Sequence, residues 1–93
     1  MKEYEIRTLK IFKALSNVVR YKILKMLEKG KLNTSQMSKK LNKATTNVSQ
    51  HLKILKNLDL VKYYTSGHNV YYELKKKEIV DFIKLMEKNY KRN

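Results

Sequence analysis

The segment from Thr34 to Leu74 reads TSQMSKKLNKATTNVSQHLKILKNLDLVKYYTSGHNVYYEL and changes its hydrophobic pattern half-way along. In its first half, apolar residues return every three or four positions, which is the spacing of one helix face. In its second half, apolar and polar residues alternate on either side of Gly67-His68, as in two antiparallel strands joined by a turn. The stretch therefore predicts two short helices followed directly by a β-hairpin.

The second of these helices has an unusual outer face. The first helix is capped by Thr34 or Ser35 and ends at Leu41, and the second spans about Thr45–Asn57. The second helix buries only a narrow apolar stripe, formed by Val48, Leu52 and Leu55. Its other side is polar and basic, has no acid, and carries Thr45, Thr46, Asn47, Ser49, Gln50, Lys53 and Lys56.

The rest of the chain predicts one mostly helical domain. Residues 3–15 and about Val18–Lys29 form two earlier helices, the second closed by Gly30 as its C-cap, and about Glu78–Lys91 forms a last one. The hairpin strands are predicted at Leu60–Ser66 and Asn69–Lys75. The order α-α-α-α-β-β-α is that of a winged helix-turn-helix fold, and 93 residues are the size of a single domain, residues 1–93.

The charge balance predicts a polyanionic partner. The chain has 22 Lys and Arg against 8 Asp and Glu, a net charge of +14. No acid occurs between Glu28 and Asp59, whereas seven lysines do: Lys29, Lys31, Lys39, Lys40, Lys43, Lys53 and Lys56.

Several function classes are excluded by what the sequence lacks. It has no cysteine, so disulfides and thiolate metal sites are absent. Its acids and histidines are scattered and there is no Gly-rich phosphate loop, so we expect neither an enzyme nor a cofactor. The start MKEYEIRT does not resemble a signal peptide, and no apolar run approaches the ~18 residues of a membrane span. We therefore expect an intracellular protein without a membrane partner.

The helix pair and hairpin predict binding to double-stranded DNA. In helix-turn-helix proteins the second helix of the pair enters the major groove, so Thr45–Asn57 is the predicted recognition helix. Phosphate contacts are expected from Lys39, Lys40 and Lys43. The hairpin, or wing, would add contacts from Lys62, Ser66, Gly67, His68 and Asn69.

The chain resembles the ArsR-type winged-helix repressors over about two-thirds of its length. The matching pieces are Ala14-Leu15-Ser16-Asn17 with Arg20, Val48-Ser49-Gln50-His51-Leu52, Leu60-Val61, and Gly67 through Val70-Tyr71-Tyr72 to Leu74. Among members of that family it looks most like the small versions encoded by archaeal viruses. The resemblance implies a dimer built from the first and last helices and a fourth helix that reads DNA.

The sequence departs from the family pattern in two ways that matter. Asp59 stands where glycine commonly precedes Leu-Val, which predicts a differently shaped turn into the wing. Metal-sensing members carry cysteines on the third helix or Asp and His ligands on the last one. Here the third-helix region has no cysteine, and Asp81 has no histidine partner, so metal sensing is not expected.

The first and last helices also predict dimerisation from their own pattern. Their apolar residues cover roughly 220° of the circumference, against the ~100° of an ordinary surface helix. The surplus would leave an exposed apolar patch on a monomer. The predicted dimer surface is formed by Tyr4, Leu9, Ile11, Phe12, Ile79, Phe82, Ile83, Met86 and Tyr90.

Other interpretations stay open from sequence alone. His51 is either a half-buried structural histidine or a DNA contact, and His68 is either a DNA contact or a plain turn residue. The tyrosines Tyr63, Tyr64 and Tyr71 either stack on unpaired bases or pack the hairpin against the helices. The whole chain is either a sequence-specific regulator, a nucleic-acid coater without sequence preference, or a winged-helix module that binds an acidic protein.

Overall fold

The computed structural model describes residues 1–91 and contains the predicted helices and hairpin. The helices are α1 (Glu3–Leu15), α2 (Val18–Leu27), α3 (Thr34–Leu41), α4 (Thr45–Asn57) and α5 (Glu78–Lys88). The strands are β1 (Leu32–Asn33), β2 (Val61–Ser66) and β3 (Asn69–Leu74). The prediction missed β1, because two residues are too few to display an alternating pattern.

Three helix ends differ from the prediction. Asn33, rather than Thr34 or Ser35, caps α3: its Oδ1 accepts from the Gln36 N–H, and the Gln36 side chain accepts from the Asn33 N–H, both at 2.8 Å. The C-cap of α2 is Glu28 rather than Gly30, which lies beyond it with φ 137°. Helix α5 ends at Lys88 rather than Lys91.

The three strands form one antiparallel sheet in the order β1-β3-β2. Ser66 pairs with Asn69 across the hairpin turn, and Val61 pairs with Leu74 at its base. On the other edge of β3, Leu32 pairs with Tyr72. Because β1 leads straight into α3, this pairing ties the base of the wing to the helix pair.

The core is formed where α2, α3, α4, α5 and the base of the sheet meet. It is made of Ile23, Leu24, Leu27, Met37, Val48, Leu52, Leu55, Leu60, Val61, Val80 and Ile83. Burying each such side chain is worth about 1.5–3 kcal/mol. Ile83 was predicted to lie on the dimer surface. That prediction is wrong, because its side chain is 5% exposed and packs inside the protomer.

Asp59, at the turn into the wing, adopts the backbone conformation that the prediction took to be unfavourable for aspartate. Asp59 adopts φ 64°, the left-handed conformation for which glycine is the usual residue. Its carboxylate lies 2.6 Å from the Lys75 ammonium at the start of the connection to α5. Aspartate is among the non-glycine residues that most readily tolerate this conformation, so glycine is not required at this turn.

Candidate nucleic-acid interface

Helix α4 is oriented by its buried stripe. Val48, Leu52 and Leu55 are fully buried, so the opposite face of the helix must point to solvent. Six predicted DNA-binding residues lie on that exposed face: Thr45, Thr46, Ser49, Gln50, Lys53 and Lys56. The structure thus assembles hydroxyl, amide and ammonium groups on one surface without a carboxylate on the helix.

Asn47 is the exception among the predicted recognition residues. It is half-buried, and its Oδ1 is enclosed without a hydrogen-bond partner among residues 1–91. Its side chain therefore lies at the edge of the exposed face and is less accessible than those of Ser49 and Gln50.

The connection between α3 and α4 places three lysines before α4, the predicted recognition helix. Asn42 ends α3 in the left-handed conformation, with φ 54°. The Lys43 N–H then donates to the Ser38 carbonyl at 3.1 Å, and the Ser38 hydroxyl donates to the Lys43 carbonyl. This tight turn leaves exposed the three predicted phosphate contacts, Lys39, Lys40 and Lys43.

The tip of the wing is exposed as predicted, but one predicted wing residue lies elsewhere. Ser66, Gly67, His68 and Asn69 are all exposed, and Gly67 supplies the positive φ of 61° in the turn. Lys62, by contrast, lies nearer the base of the hairpin. It pairs with Glu73 on β3, with an Nζ–Oε1 distance of 3.3 Å.

Aromatic rings connect the wing to the basic residues around it. The Lys56 ammonium lies 5.0 Å from the centroid of the Tyr63 ring, which joins α4 to β2. Tyr64 and Tyr71 stack at 5.9 Å, and the Lys31 ammonium lies over both rings. The rings of Tyr64 and Tyr71 therefore have partners within the protein, whereas the side chain of Tyr63 is still 50% exposed.

His51 is half-buried and hydrogen-bonded, which agrees with the structural one of the two interpretations left open by the sequence. Its Nδ1 lies 3.1 Å from Nη1 of Arg20, whose Nε donates to the Ala14 carbonyl at 2.8 Å. Burial lowers the pKa of His51, and the charges of Arg20 and Lys43 lower it further. The contact between Arg20 and His51 was not predicted from the sequence, because these two residues lie 31 positions apart in it.

A second surface, formed by α1 and α5, is apolar. Phe12 and Phe82 stack at 5.9 Å between ring centroids and are 50% and 38% exposed. Tyr4, Leu9, Met86 and Tyr90 are also exposed, whereas Ile11 and Ile79 are partly buried against the core. Two exposed apolar residues of the same helices, Ile6 and Leu85, were not in the predicted set.

Comparison with known proteins identifies the family. Residues 17–63 match the model of the bacterial regulatory proteins of the arsR family, a segment that contains α2, α3, α4 and the start of the wing. The chain belongs to the arsR family. Within this arsR-family chain, α3 and α4 are the helix-turn-helix pair and β2 and β3 are the wing.

The relatives of this arsR-family protein are transcriptional regulators. The chain is 32% identical over 76 residues to the transcriptional repressor SdpR of Bacillus subtilis, covering 82% of this chain and 84% of SdpR. It is 41% identical over 66 residues to a homologue of the cadmium resistance regulator CadC of Staphylococcus aureus, covering 70% of this chain. That match spans 54% of the CadC homologue, so about half of the relative is represented here.

The fold agrees with that of a solved structure. HlyU from Vibrio cholerae superposes with a TM-score of 0.84 at 29% identity, covering 97% of this chain and 98% of HlyU. The protein therefore has a winged helix-turn-helix fold.

Neither a metal-ligand cluster nor a membrane-spanning helix occurs among the residues that the structure describes. Residues 1–91 contain no cluster of three or more His, Cys, Asp or Glu side chains arranged for a metal ion. Within the same range, none of the helices is long and apolar enough to cross a bilayer.

Proposed function

We propose that this protein is a sequence-specific transcription regulator, a repressor, that binds a pseudo-palindromic DNA site as a homodimer. One observation carries the proposal: the exposed face of α4 is polar and basic and has no carboxylate. A helix face selected only for solubility usually mixes both signs of charge, whereas a face that meets DNA must avoid like charge against phosphate.

The roles of the α4 side chains follow from their chemistry. Gln50 is the candidate for a bidentate contact to adenine, because its amide offers both a donor and an acceptor. Ser49, Thr45 and Thr46 would donate to base edges or phosphates. Lys53 and Lys56 would contact phosphates, as would Lys39, Lys40 and Lys43 before the helix. Asn47 would need to turn outward to join them.

The wing would extend the contact beyond the major groove. His68 and Asn69 at the exposed tip are placed to approach the backbone or the minor groove next to the recognition helix. Ser66 and Gly67 would offer a hydroxyl and a backbone N–H. Lys62 has a weaker case, because its ammonium already faces the Glu73 carboxylate.

Dimerisation is supported by the apolar surface on α1 and α5. The stacked Phe12 and Phe82 rings are exposed together with Tyr4, Leu9, Met86 and Tyr90, and contiguous exposed apolar residues of this kind usually mark a partner surface. Pairing two copies by a two-fold axis would cover this surface and set the two α4 helices about 34 Å apart, one turn of DNA. Ile11 and Ile79 would contribute at its inner edge.

Repression is the sign of regulation that we propose, on the basis of SdpR, which is named as a transcriptional repressor. A dimer of this size bound across a promoter would occlude polymerase without needing a second activity.

A second candidate function, coating of nucleic acid without sequence preference, is favoured by the choice of basic residue. The chain has only three arginines, Arg7, Arg20 and Arg92, and Arg20 is occupied by Ala14 and His51. Lysine recognises phosphate as a point charge, whereas arginine makes the bidentate contacts that read guanine. Base reading would therefore rest mainly on the amide and hydroxyl groups of α4.

Selection of bound sequences from a random pool of duplexes tests the proposal. We expect one enriched palindrome, bound about 10³-fold or more tightly than bulk DNA. On that site, Gln50→Ala should reduce the preference over bulk DNA, whereas Lys53→Ala should weaken both equally. Failure to enrich any sequence, with equal affinity for all duplexes, would favour the coating function instead; no DNA binding at low salt would favour a protein partner.

A further inference from the structure

A cleft on the side of α2 is lined, apart from Lys40, by residues outside the proposed DNA-binding and dimer sets. Its volume is about 710 Å³, within the ~300–1,000 Å³ of small-molecule sites. It is bounded by α2 from Tyr21 onward, by the turn into β1 and by the end of α3. The inner wall includes Met26, Leu32 and Leu41, which are partly buried and pack against the core.

The cleft is lined by an excess of positive charge. Five of its lining residues are lysines, namely Lys22, Lys25, Lys29, Lys31 and Lys40, against one acid, Glu28. The Glu28 carboxylate is already bound by the Lys84 ammonium of α5, at 2.5 Å. The one carboxylate of the cleft therefore already has an ammonium partner outside the cleft lining.

Most of these lysines also lack a carboxylate partner. Lys25 binds Glu87 at 2.6 Å, but among residues 1–91 no ion pair involves Lys22, Lys29, Lys31 or Lys40. The Lys31 ammonium lies instead over the rings of Tyr64 and Tyr71, at 5.4 and 5.5 Å. The cleft thus combines an apolar wall with an unneutralised cationic rim.

We propose that this cleft is a binding site for a small organic anion, with an apolar body against Met26, Leu32 and Leu41 and an acidic head group at Lys22 and Lys29. The apolar wall argues for a small amphiphile, because a DNA backbone presents no apolar group to fill it. A free inorganic anion would likewise leave the wall uncovered. Tyr21 also lines the cleft, and its hydroxyl donates to the Glu87 carboxylate of α5.

The test uses 1-naphthalenesulfonate, titrated into the isotopically labelled full chain and followed by the shifts of its amide signals. Two control ligands are titrated separately: 1-naphthalenemethanol carries the apolar ring without the charge, and inorganic sulfate carries the charge without the ring. We expect the largest shifts in α2 from Tyr21 onward, in β1 and at the end of α3. We also expect naphthalenesulfonate to bind about tenfold more tightly than either half, the gain from two cooperating contacts.

Matched variants separate the cleft from the general attraction of a basic protein for anions. Lys22→Gln with Lys29→Gln should weaken naphthalenesulfonate binding about three- to tenfold, the value of two exposed ion pairs. Lys10→Gln with Lys13→Gln removes the same charge from exposed positions on α1 and should leave the affinity unchanged. All four lysine side chains are exposed, so neither double variant disturbs the core and both should fold.

Three results would overturn the proposal. The first is a shift pattern confined to α1 and α5, which would place the ligand on the apolar dimer surface. The second is equal affinity for naphthalenemethanol or sulfate, and the third is equal weakening by the two double variants. None of these results bears on DNA recognition, because Lys22 and Lys29 are outside the proposed DNA-binding set.

Discussion

The Nη1 atom of Arg20 lies 3.1 Å from Nδ1 of His51, and this contact joins α2 to α4. The same guanidinium donates from Nε to the Ala14 carbonyl at the end of α1. Since arginine is always protonated and donates only, His51 must accept through an unprotonated Nδ1. One side chain therefore links the proposed dimerisation helix to the proposed DNA-reading helix.

Stability should depend on pH through His51. Its pKa is 6.5 in the unfolded chain and lower in the folded protein, where burial and the charges of Arg20 and Lys43 oppose protonation. Below pH 6.5 the unfolded state therefore binds more protons, and the free energy of unfolding falls as the pH drops from 6.5 to the folded pKa. Below the folded pKa this contribution levels off.

The check is urea unfolding at several pH values between 7.5 and 4.5, about the range in which histidine titrates. The matched variant is His51→Asn, because the asparagine Oδ1 can accept from Arg20 but does not titrate. Its free energy of unfolding should vary less with pH than that of the wild type. Identical pH profiles for the two proteins would show that His51 does not titrate between the two states.

Loss of the Arg20 side chain should destabilise the protein. Arg20→Ala removes the donors to the Ala14 carbonyl and to His51, and we expect a cost of about 1–3 kcal/mol in the free energy of unfolding. Arg7→Ala removes an exposed arginine of α1 and should change it by less than about 0.5 kcal/mol. A similar small change for both variants would contradict a structural role for Arg20.

Substitutions at two adjacent residues of α5 should have different effects, one on dimerisation and the other on stability. Phe82 is 38% exposed, so Phe82→Asp should shift sedimentation equilibrium toward monomer while the helical circular dichroism is retained. Ile83 is 5% exposed, so Ile83→Ala should instead lower the free energy of unfolding by about 2–5 kcal/mol. Val18→Asp, at a 67%-exposed position outside α1 and α5, is the control for adding a charge. A wild type that is monomeric at micromolar concentration would refute the dimer itself.

The turn before the wing should discriminate between glycine and alanine. At φ 64°, Asp59→Ala loses the contact with Lys75 and retains a strained backbone, whereas Asp59→Gly loses the contact but relieves the strain. We expect the alanine variant to be less stable than the glycine variant by about 1–2 kcal/mol in thermal or urea unfolding. Equal stabilities would mean that the left-handed conformation is not held in solution.

Local periodicity was enough to predict most of the fold and the outer face of α4. The bounds Thr45–Asn57 and the turn between Ser66 and Asn69 agree with the structure, because the spacing of apolar residues and the turn residues act over a few positions. The exposed set from Thr45 to Lys56 follows from the same spacing, apart from the half-buried Asn47.

Tertiary packing decided what local pattern leaves open. Phe82 and Ile83 are adjacent and both apolar, and only the position of α5 against the core makes one a surface residue and the other a core residue. The Arg20–His51 contact and the cleft beside α2 depend on segments far apart in sequence. Such contacts are determined by how the elements pack together, which the periodicity of a single element does not specify.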